Sequence, residues 1–372
     1  MFKLKQYDFR RYDYFLVILV IILSVSSVFF IHCVDVADGT TDNATKQIFG
    51  LVLGIFIVAI VSVIDYNFVI RFMWPMYAIN LVLLILVRLI GVSSHGAKRW
   101  LNVGVQIQPS ELSKIIMIIC MAGLMSYFHE KINKLSSFLI ISIAMGIPTF
   151  LILIQTNLST SIVMAYIFVS MLFVAGLSYR VIAPILIILV PAVAGFFWYI
   201  QQPFQVLLKE YQLDRVIGFL NPEKYSSSIM YQQSNAVQAV GSGKLYGKIF
   251  ENGVKIKGSN YVSEAHNDFI FSVIGEEAGF IGGCVIIALL AILIFKCMMI
   301  AKNAKDISGK LIATGVSSMF MIQVFVNIGV VTSILPNTGL PLPFVSYGLS
   351  SLLSSMLGIG LVLNVSLQRK RI

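Results

Sequence analysis

Residues 264–277 read EAHNDFIFSVIGEE, and they join the longest polar segment of the chain to a run of apolar residues. If this stretch is helical, one face carries Asp268, Ser272, Gly275, Glu276 and Gly279. A carboxylate then stands at the mouth of a membrane helix, and two more follow about two turns deeper. Carboxylates in hydrocarbon are costly, so these acids are expected to face a protein interior or a wet cavity.

Two interpretations of the acids stay open at this point. In the first, Asp268 is the N-terminal cap of the helix, and Glu276 and Glu277 pair with buried cations. In the second, Asp268 is a catalytic group, because ionisable residues within membrane segments are functional by default. Their position alone does not separate the two.

The composition is typical of a polytopic membrane protein. Of the 372 residues, 58% are hydrophobic and only 12% are charged, and the mean hydropathy is +0.89. Water-soluble domains do not have such a composition. The net charge of +10 does not indicate nucleic acid as a partner, because the basic residues are scattered between hydrophobic segments. The four cysteines have no paired spacing, which argues against a disulfide framework.

The hydropathy pattern predicts an all-α membrane protein made of one domain, residues 1–372, with about ten transmembrane helices. Each predicted span is long enough to cross about 30 Å of hydrocarbon. The spans are 14–31, 48–64, 72–90, 112–128, 137–154, 158–175, 181–200, 269–300, 311–335 and 346–366.

The charge of the short loops predicts the orientation. Most of their Lys and Arg residues fall on the side of the two termini, and only Lys46, Lys98 and Arg99 fall on the other side. Because short cytoplasmic loops are enriched in basic residues, both termini are predicted to be cytoplasmic. The long loop 201–268, between the seventh and eighth spans, is then extracellular, and Asp268 lies at the outer surface.

The loop GVSSHGAKRWLNVGVQIQPSELSK, residues 91–114, is a second polar feature. Lys98 and Arg99 precede an interfacial Trp, and a Pro-Ser-Glu sequence is typical of a helix start. Glu111 and Lys114 lie one turn apart on one helix face. They could form an intrahelical ion pair, or the cations could line a pocket for a phosphate-bearing lipid head group.

The other polar segments supply further candidates. In the long loop, Arg215 has the planar guanidinium that suits a bidentate phosphate contact, and residues 231–248 are predicted to form an amphipathic helix ended by Gly-Ser-Gly.

The loop ILPNTGLPLPFVSYGLSS, residues 334–351, is rigid and irregular, so it is expected to wall the same outer cavity, with Pro341 and Ser346 as candidate contacts. The four histidines show no metal-ligand spacing.

Several of these segments together resemble the SEDS family of membrane proteins, which comprises RodA, FtsW and SpoVE. The amino terminus, FKLKQYDFRRYDY, looks closer to RodA. The resemblance covers nearly the whole chain and rests on GAKRWLNVG (96–104), QPSELSK (108–114), DRVIGFLNP (214–222), YQQS (231–234), VGSG (240–243), EAHNDFIFSVIGEEAGF (264–280) and NIGVVTSILPNTGLPLPFVSYG (327–348).

The resemblance implies a bundle of the GT-C type and an activity: polymerisation of lipid II, a disaccharide-pentapeptide on undecaprenyl pyrophosphate. It also implies a class B penicillin-binding protein as partner. The family's essential acid is the Asp of the DFIF motif, which is Asp268 here.

The chain departs from the family's pattern at three places, which indicates a divergent paralogue. The family's QPDLG is QTNLS at 155–159, its SYGGSS is SYGLSS at 346–351, and its GSGGLxGKG is GSGKLYGKI at 241–249. The substituted residues are Thr156, Asn157, Ser159, Leu349, Lys244 and Ile249.

The reaction so implied is a displacement at an anomeric carbon. A base takes the proton of the attacking hydroxyl, a task that suits Asp268. Cations carry the charge that develops on the pyrophosphate, and the candidates are Lys98, Arg99, Lys114 and Arg215. A divalent cation, Mg²⁺ or Mn²⁺, could assist them. Two alternatives remain: a flippase, which needs a polar path through the membrane, and a non-catalytic scaffold that recruits a penicillin-binding protein.

Overall fold

The computed structural model describes residues 12–94, 97–102, 106–179, 230–249 and 265–368, together with Val262 and isolated positions between 181 and 219. Its helices are α1 (Tyr14–Asp38), α2 (Asp42–Val63), α3 (Tyr66–Arg71), α4 (Met73–Ile90), α5 (Pro109–Tyr127), α6 (Leu135–Ile154), α7 (Leu158–Val174), α8 (Tyr231–Ser242), α9 (Ile270–Glu277), α10 (Gly279–Lys302), α11 (Ile307–Val331) and α12 (Leu349–Leu367), with a short 3-10 turn at His129–Lys131.

Eight of the described helices are long and apolar enough to cross a membrane. They are α1, α2, α4, α5, α6, α10, α11 and α12. Helix α7 is apolar and has 17 residues, so it accounts for the predicted sixth span. The predicted seventh span, 181–200, lies mostly outside the described residues.

The eighth predicted span, 269–300, is wrong in one respect, because it consists of two helices. Helix α9 ends at Glu277, and α10 begins at Gly279, whose φ of 66° breaks the helical path. Helix α10 alone has 24 residues, about 36 Å at the helical rise, which suffices to cross the bilayer. Glu276 and Glu277 therefore precede the spanning helix and do not lie two turns inside it.

The segment between α4 and α5 contains short strands that the all-helical expectation did not include. Strands β1 (Val92–Ser94), β2 (Ala97–Asn102) and β3 (Gln106–Ile107) form an antiparallel sheet in the order β1-β2-β3. The register pairs Ser93 with Lys98 and Leu101 with Ile107. Helix α5 then starts at Pro109, as predicted, because a proline at the first helical position lacks only an N–H that would have no helical partner.

Three helices form the inside of the bundle. Helices α5, α11 and α12 are mostly buried, whereas α2, α4 and α6 expose most of their apolar surface, as expected for helices that face lipid. Small residues allow the inner contacts: Gly315 of α11 lies against Ile118 of α5, and Gly358 of α12 lies against Val316 of α11. The polar loops at one end of this bundle meet around Asp268.

Candidate active site

Asp268 lies in a turn, residues 265–269, immediately before α9. The N-cap position of α9 is Phe269, which makes no side-chain capping bond, and Asp268 lies one residue before it. The side chain is partly exposed, while Phe269 beside it is fully buried. The turn thus presents a carboxylate at the surface of an otherwise apolar helix entrance.

The loop 332–348 covers this turn from the other side. Gly339 has a φ of 71°, and a Cβ at this position would lie 3.4 Å from Asp268 Oδ2. A side chain at residue 339 would therefore strain the backbone, and its Cβ would be in ordinary van der Waals contact with the carboxylate. The positive φ explains the glycine of the TGLPLPF motif.

Two primary amides fasten the loop. The Nδ2 atom of Asn327, in α11, donates to the carbonyl oxygens of Asp268 and Leu340, both at 2.7 Å. The Nε2 atom of Gln233, in α8, donates to the carbonyl oxygens of Val330 and Leu335, both at 2.7 Å. Turn, loop and the amphipathic helix α8 are thereby held to the end of α11.

The far end of the loop is tied to the beginning of the turn. The Tyr347 N–H donates to the His266 carbonyl at 2.8 Å, and the two rings meet edge to face at 5.3 Å between centroids. Burial, and then the Asp35 and Asp42 carboxylates, raise the pKa of Tyr347, so its phenol is neutral at pH 7. His266 is thus a packing and hydrogen-bonding residue beside the acid.

Arg99 is the predicted cation that the structure brings towards this site. Its Nη2 donates to the carbonyl of Thr156, in the break between α6 and α7. Three residues on, the Ser159 hydroxyl donates to the carbonyl of Thr338, which neighbours Gly339 in sequence. A continuous chain of contacts therefore runs from Arg99 through the 155–159 break to the loop beside Asp268.

Glu111 and Lys114 form the intrahelical pair that the sequence offered as one alternative. Lys114 Nζ lies 2.9 Å from both carboxylate oxygens of Glu111, and the lysine is only 1% exposed. The Glu111 carbonyl also accepts the Ser354 hydroxyl of α12 at 2.7 Å. The pair braces α5 against α12 within the bundle.

Glu276 pairs with a cation, Lys248, which comes from the polar segment after α8. The partner is thus a half-buried loop lysine and not a cation of a membrane helix. Glu277 is also buried, and its Oε1 has no hydrogen-bond partner among the described residues. Both acids stand at the α9–α10 junction, at the other end of α9 from Asp268.

The remaining predicted residues are spread around the site. Lys98 is exposed on β2, and Pro341 is half-buried in the covering loop. Ser346 is buried, and its hydroxyl accepts the Leu342 N–H at 2.7 Å, so it braces the loop from within. Arg215 lies outside the described residues.

The departures from the family's pattern have local explanations. Asn157 caps α7 by accepting the Thr160 N–H at 3.2 Å, a role in which Asn and Asp are about equally good. Leu349 packs onto α2 at Gly50, where a Cβ would lie 2.9 Å from the leucine. Lys244 adopts a φ of 51°, a conformation that a glycine would enter without strain.

A metal site does not emerge from the described part of the chain. No group of three or more His, Cys, Asp or Glu side chains there could hold an ion. The assistance of a divalent cation, Mg²⁺ or Mn²⁺, stays a prediction.

The sequence reasoning missed Asn327 and Gln233. A signal was available for Asn327, because an asparagine inside the predicted span 311–335 is a polar group in a membrane segment and calls for a partner. Gln233 sits in a polar stretch, where nothing distinguishes it from its neighbours.

Comparisons with known proteins agree on one family. The model of the "Cell cycle protein" family FTSW_RODA_SPOVE matches residues 10–371. The probable peptidoglycan glycosyltransferase FtsW of Trichlorobacter lovleyi is 34% identical over 379 residues, covering 98% of this chain and 96% of the relative. The peptidoglycan glycosyltransferase MrdB of Escherichia coli K12 is 36% identical over 298 residues, covering 79% of this chain and 78% of that protein.

A solved structure has the same fold. It is described as showing the coordination of polymerisation and crosslinking by a peptidoglycan synthase complex, and one of its chains superposes with a TM-score of 0.78 at 27% identity. The match covers 95% of this chain and 97% of the other.

Proposed function

Because the chain belongs to the FtsW, RodA and SpoVE family of cell cycle proteins and is a peptidoglycan glycosyltransferase of the membrane, we propose that it polymerises lipid II into glycan strands. The reaction takes place on the outer face of the cytoplasmic membrane. The proposed cellular role is cell elongation and shape, which the RodA-like amino terminus suggests, or cell division.

Asp268 is the general base in this proposal. Its partly exposed carboxylate, set against the side-chain-free Gly339 in a cleft between turn and loop, is the observation that carries the assignment. A base must come within hydrogen-bond reach of the proton that it takes, and a partly exposed carboxylate is accessible to an acceptor hydroxyl. Proton transfer to Asp268 makes the hydroxyl oxygen the nucleophile that attacks the anomeric carbon.

Arg99 is the cation that best fits the leaving pyrophosphate. Its contact with the 155–159 break, which in turn contacts the covering loop at Thr338, supports this role, and a guanidinium can bind phosphate oxygens in a bidentate manner. Lys98, exposed on the neighbouring residue, and Arg215 of the long loop are further candidates. Lys114 contributes through the packing of α5 and not through contact with the substrate.

The proposal also includes the orientation of the protein in the membrane and its partner protein. The basic bias of the short loops supports cytoplasmic termini and an extracellular Asp268. The likeness to a chain from a complex that couples polymerisation with crosslinking supports a class B penicillin-binding protein as partner. Lipid II would reach the site from the outer leaflet.

The test is glycan-chain formation from lipid II by the purified protein with its penicillin-binding partner. Asp268→Asn keeps the side chain's size but cannot accept a proton, so we expect a loss of about 10²–10⁴-fold. Asn267→Ala, in the same turn, is the control for disturbance of the turn and should retain most of the activity.

Near-native polymerisation by Asp268→Asn would defeat the catalytic assignment and favour the scaffold. A wild-type protein that moves lipid II across vesicles but forms no glycan would favour the flippase.

A further inference from the structure

Asn327 of α11 links its helix to the turn 265–269 and to the covering loop through one nitrogen atom. It is 1% exposed in α11, and its Nδ2 donates one hydrogen to the Asp268 carbonyl and the other to the Leu340 carbonyl. Leu340 directly follows Gly339, the residue against which the Asp268 carboxylate lies. The same amide therefore holds both the turn that carries Asp268 and the loop segment beside it.

Few side chains can make this connection. Two carbonyl oxygens converge on one nitrogen, and a primary amide supplies the two hydrogens that they need without adding a charge. A hydroxyl could donate to only one of the two carbonyls. An ionised carboxylate has no proton to donate, so it would repel both carbonyl oxygens.

The Asn327 side chain also carries an energetic cost. Asn327 Oδ1 is buried and has no hydrogen-bond partner among the described residues. An unsatisfied buried oxygen destabilises a fold, so its presence calls for an explanation. An apolar residue of similar size would avoid that penalty but would leave both carbonyls unbound.

The turn needs an external tie at this point. Asp268 precedes α9, so the helix does not orient it, and the N-cap residue Phe269 makes no side-chain bond. Tyr347 holds the beginning of the turn through the His266 carbonyl, whereas Asn327 holds the end that carries the carboxylate.

We propose that Asn327 is a positioning residue for Asp268. Through its two hydrogen bonds, Asn327 sets the distance between the Asp268 carboxylate and the loop at Gly339 that the reaction needs. This inference rests on the proposed role of Asp268 as the base. Asn327 acts through the backbone and does not touch the substrate.

The test compares Asn327→Leu with a matched control at the other end of the bundle. Asn364 of α12 is equally buried and also bridges two groups, since it donates to the Ser62 carbonyl at 2.8 Å and accepts the Tyr66 N–H at 3.0 Å. Its Oδ1 also accepts from Gln368 Nε2 at 3.1 Å. Both substitutions remove the hydrogen bonds of a buried asparagine, but only Asn327→Leu affects the turn.

We expect Asn327→Leu to lower kcat for lipid II polymerisation by about 10²-fold, as misplacement of a catalytic group by about 1 Å does, with KM unchanged within about threefold. Asn364→Leu should lower the melting temperature at least as much and keep kcat. Asn327→Ser, which retains one hydrogen-bond donor, should recover part of kcat.

A second readout does not depend on activity. Hydrogen exchange of the peptide covering 265–272 should be faster in Asn327→Leu and unchanged in Asn364→Leu. In the Asp268→Asn background, Asn327→Leu should cause no further loss, because a residue that acts only through Asp268 has nothing left to position.

The inference is overturned if wild type polymerises lipid II, Asp268→Asn does not, and Asn327→Leu keeps kcat within threefold. It is equally overturned if kcat falls in both Leu variants in proportion to their melting temperatures. If Asp268→Asn is active, the proposed function fails first, and unchanged exchange at 265–272 in Asn327→Leu would then remove the positioning role as well.

Discussion

Asp268 lies in a turn, and this decides what holds its carboxylate in place. A side chain within a helix is oriented by the repeating backbone bonds of that helix. Asp268 instead depends on contacts with residues far away in sequence, namely Asn327 and Gly339. Small changes in those contacts are therefore expected to affect the reaction more than changes within α9.

The Glu111–Lys114 pair is a second site at which a single substitution is expected to have a large effect, here on the stability of the fold. Both groups are buried, so removing one leaves an uncompensated charge, which typically costs about 3–5 kcal/mol. Lys114→Met alone and Glu111→Gln alone should each lower the free energy of unfolding by this amount. Thermal melting in detergent measures the effect on each variant.

The double variant separates structure from binding. Lys114→Met with Glu111→Gln removes both charges, and its stability should return to near that of wild type, with lipid II polymerisation preserved. A double variant that melts normally but has lost lipid II turnover would instead make Lys114 a substrate-binding cation.

At the scale of elements, the α9–α10 junction is held by the segment that follows α8. The Lys248 and Ile249 N–H groups donate to the carbonyls of Glu276 and Glu277 at 3.0 and 3.1 Å, and the Phe280 N–H donates to the Lys244 carbonyl at 2.9 Å. These bonds satisfy the carbonyls that α9 leaves unpaired at its end. The polar segment and the break in the helix are therefore one structural unit.

This unit depends on Gly247. Its φ is 79°, and a Cβ there would lie 2.0 Å from the Glu277 carbonyl oxygen, so the backbones must separate to admit one. We expect Gly247→Ala to lower the melting temperature and activity together, at a cost of more than about 2 kcal/mol, since strain and lost hydrogen bonds add.

Gly241→Ala is the matched control. Gly241 lies within α8 and a Cβ there meets nothing within 4 Å, so alanine should be neutral or stabilise by about 0.5–1 kcal/mol. Equal melting temperatures for the two variants would contradict the close packing of the junction.

At the scale of the whole molecule, the two ends of the bundle differ in their polar contacts. One end carries Asp268 and its covering loop. The other carries a compact network in which the Tyr66 hydroxyl donates to Asp306 at 2.9 Å and Asp306 caps α11. Burial and the Asp306 carboxylate raise the pKa of Tyr66, which keeps this phenol neutral and donating over the physiological range.

The orientation of these ends can be tested with single cysteines. Gln106 on β3 and Lys305 before α11 are both exposed and lie at opposite ends. With the four native cysteines replaced by serine, Gln106→Cys should react with an impermeant thiol reagent added to intact cells, and Lys305→Cys should react only after permeabilisation.

The reverse labelling pattern would place Asp268 on the cytoplasmic side and remove the proposed reaction from the outer leaflet. A permeabilised sample in which both cysteines react is the control that shows each side chain to be accessible.

The sequence alone determined the membrane class, most spans and the family, because hydropathy, helix-start residues and motifs are local properties. Helix ends at Pro109 and Gly243 followed from the residues themselves. The break at Gly279 did not, because a single glycine inside a helical pattern does not show by itself that two helices meet there.

Tertiary structure decided which residues meet Asp268 and which do not. Asn327 and Gly339 come from segments far along the chain. The spacing within one segment cannot reveal such contacts. They arise because three helices pack at a common end, and each buried polar group there must find its partner on a neighbouring element.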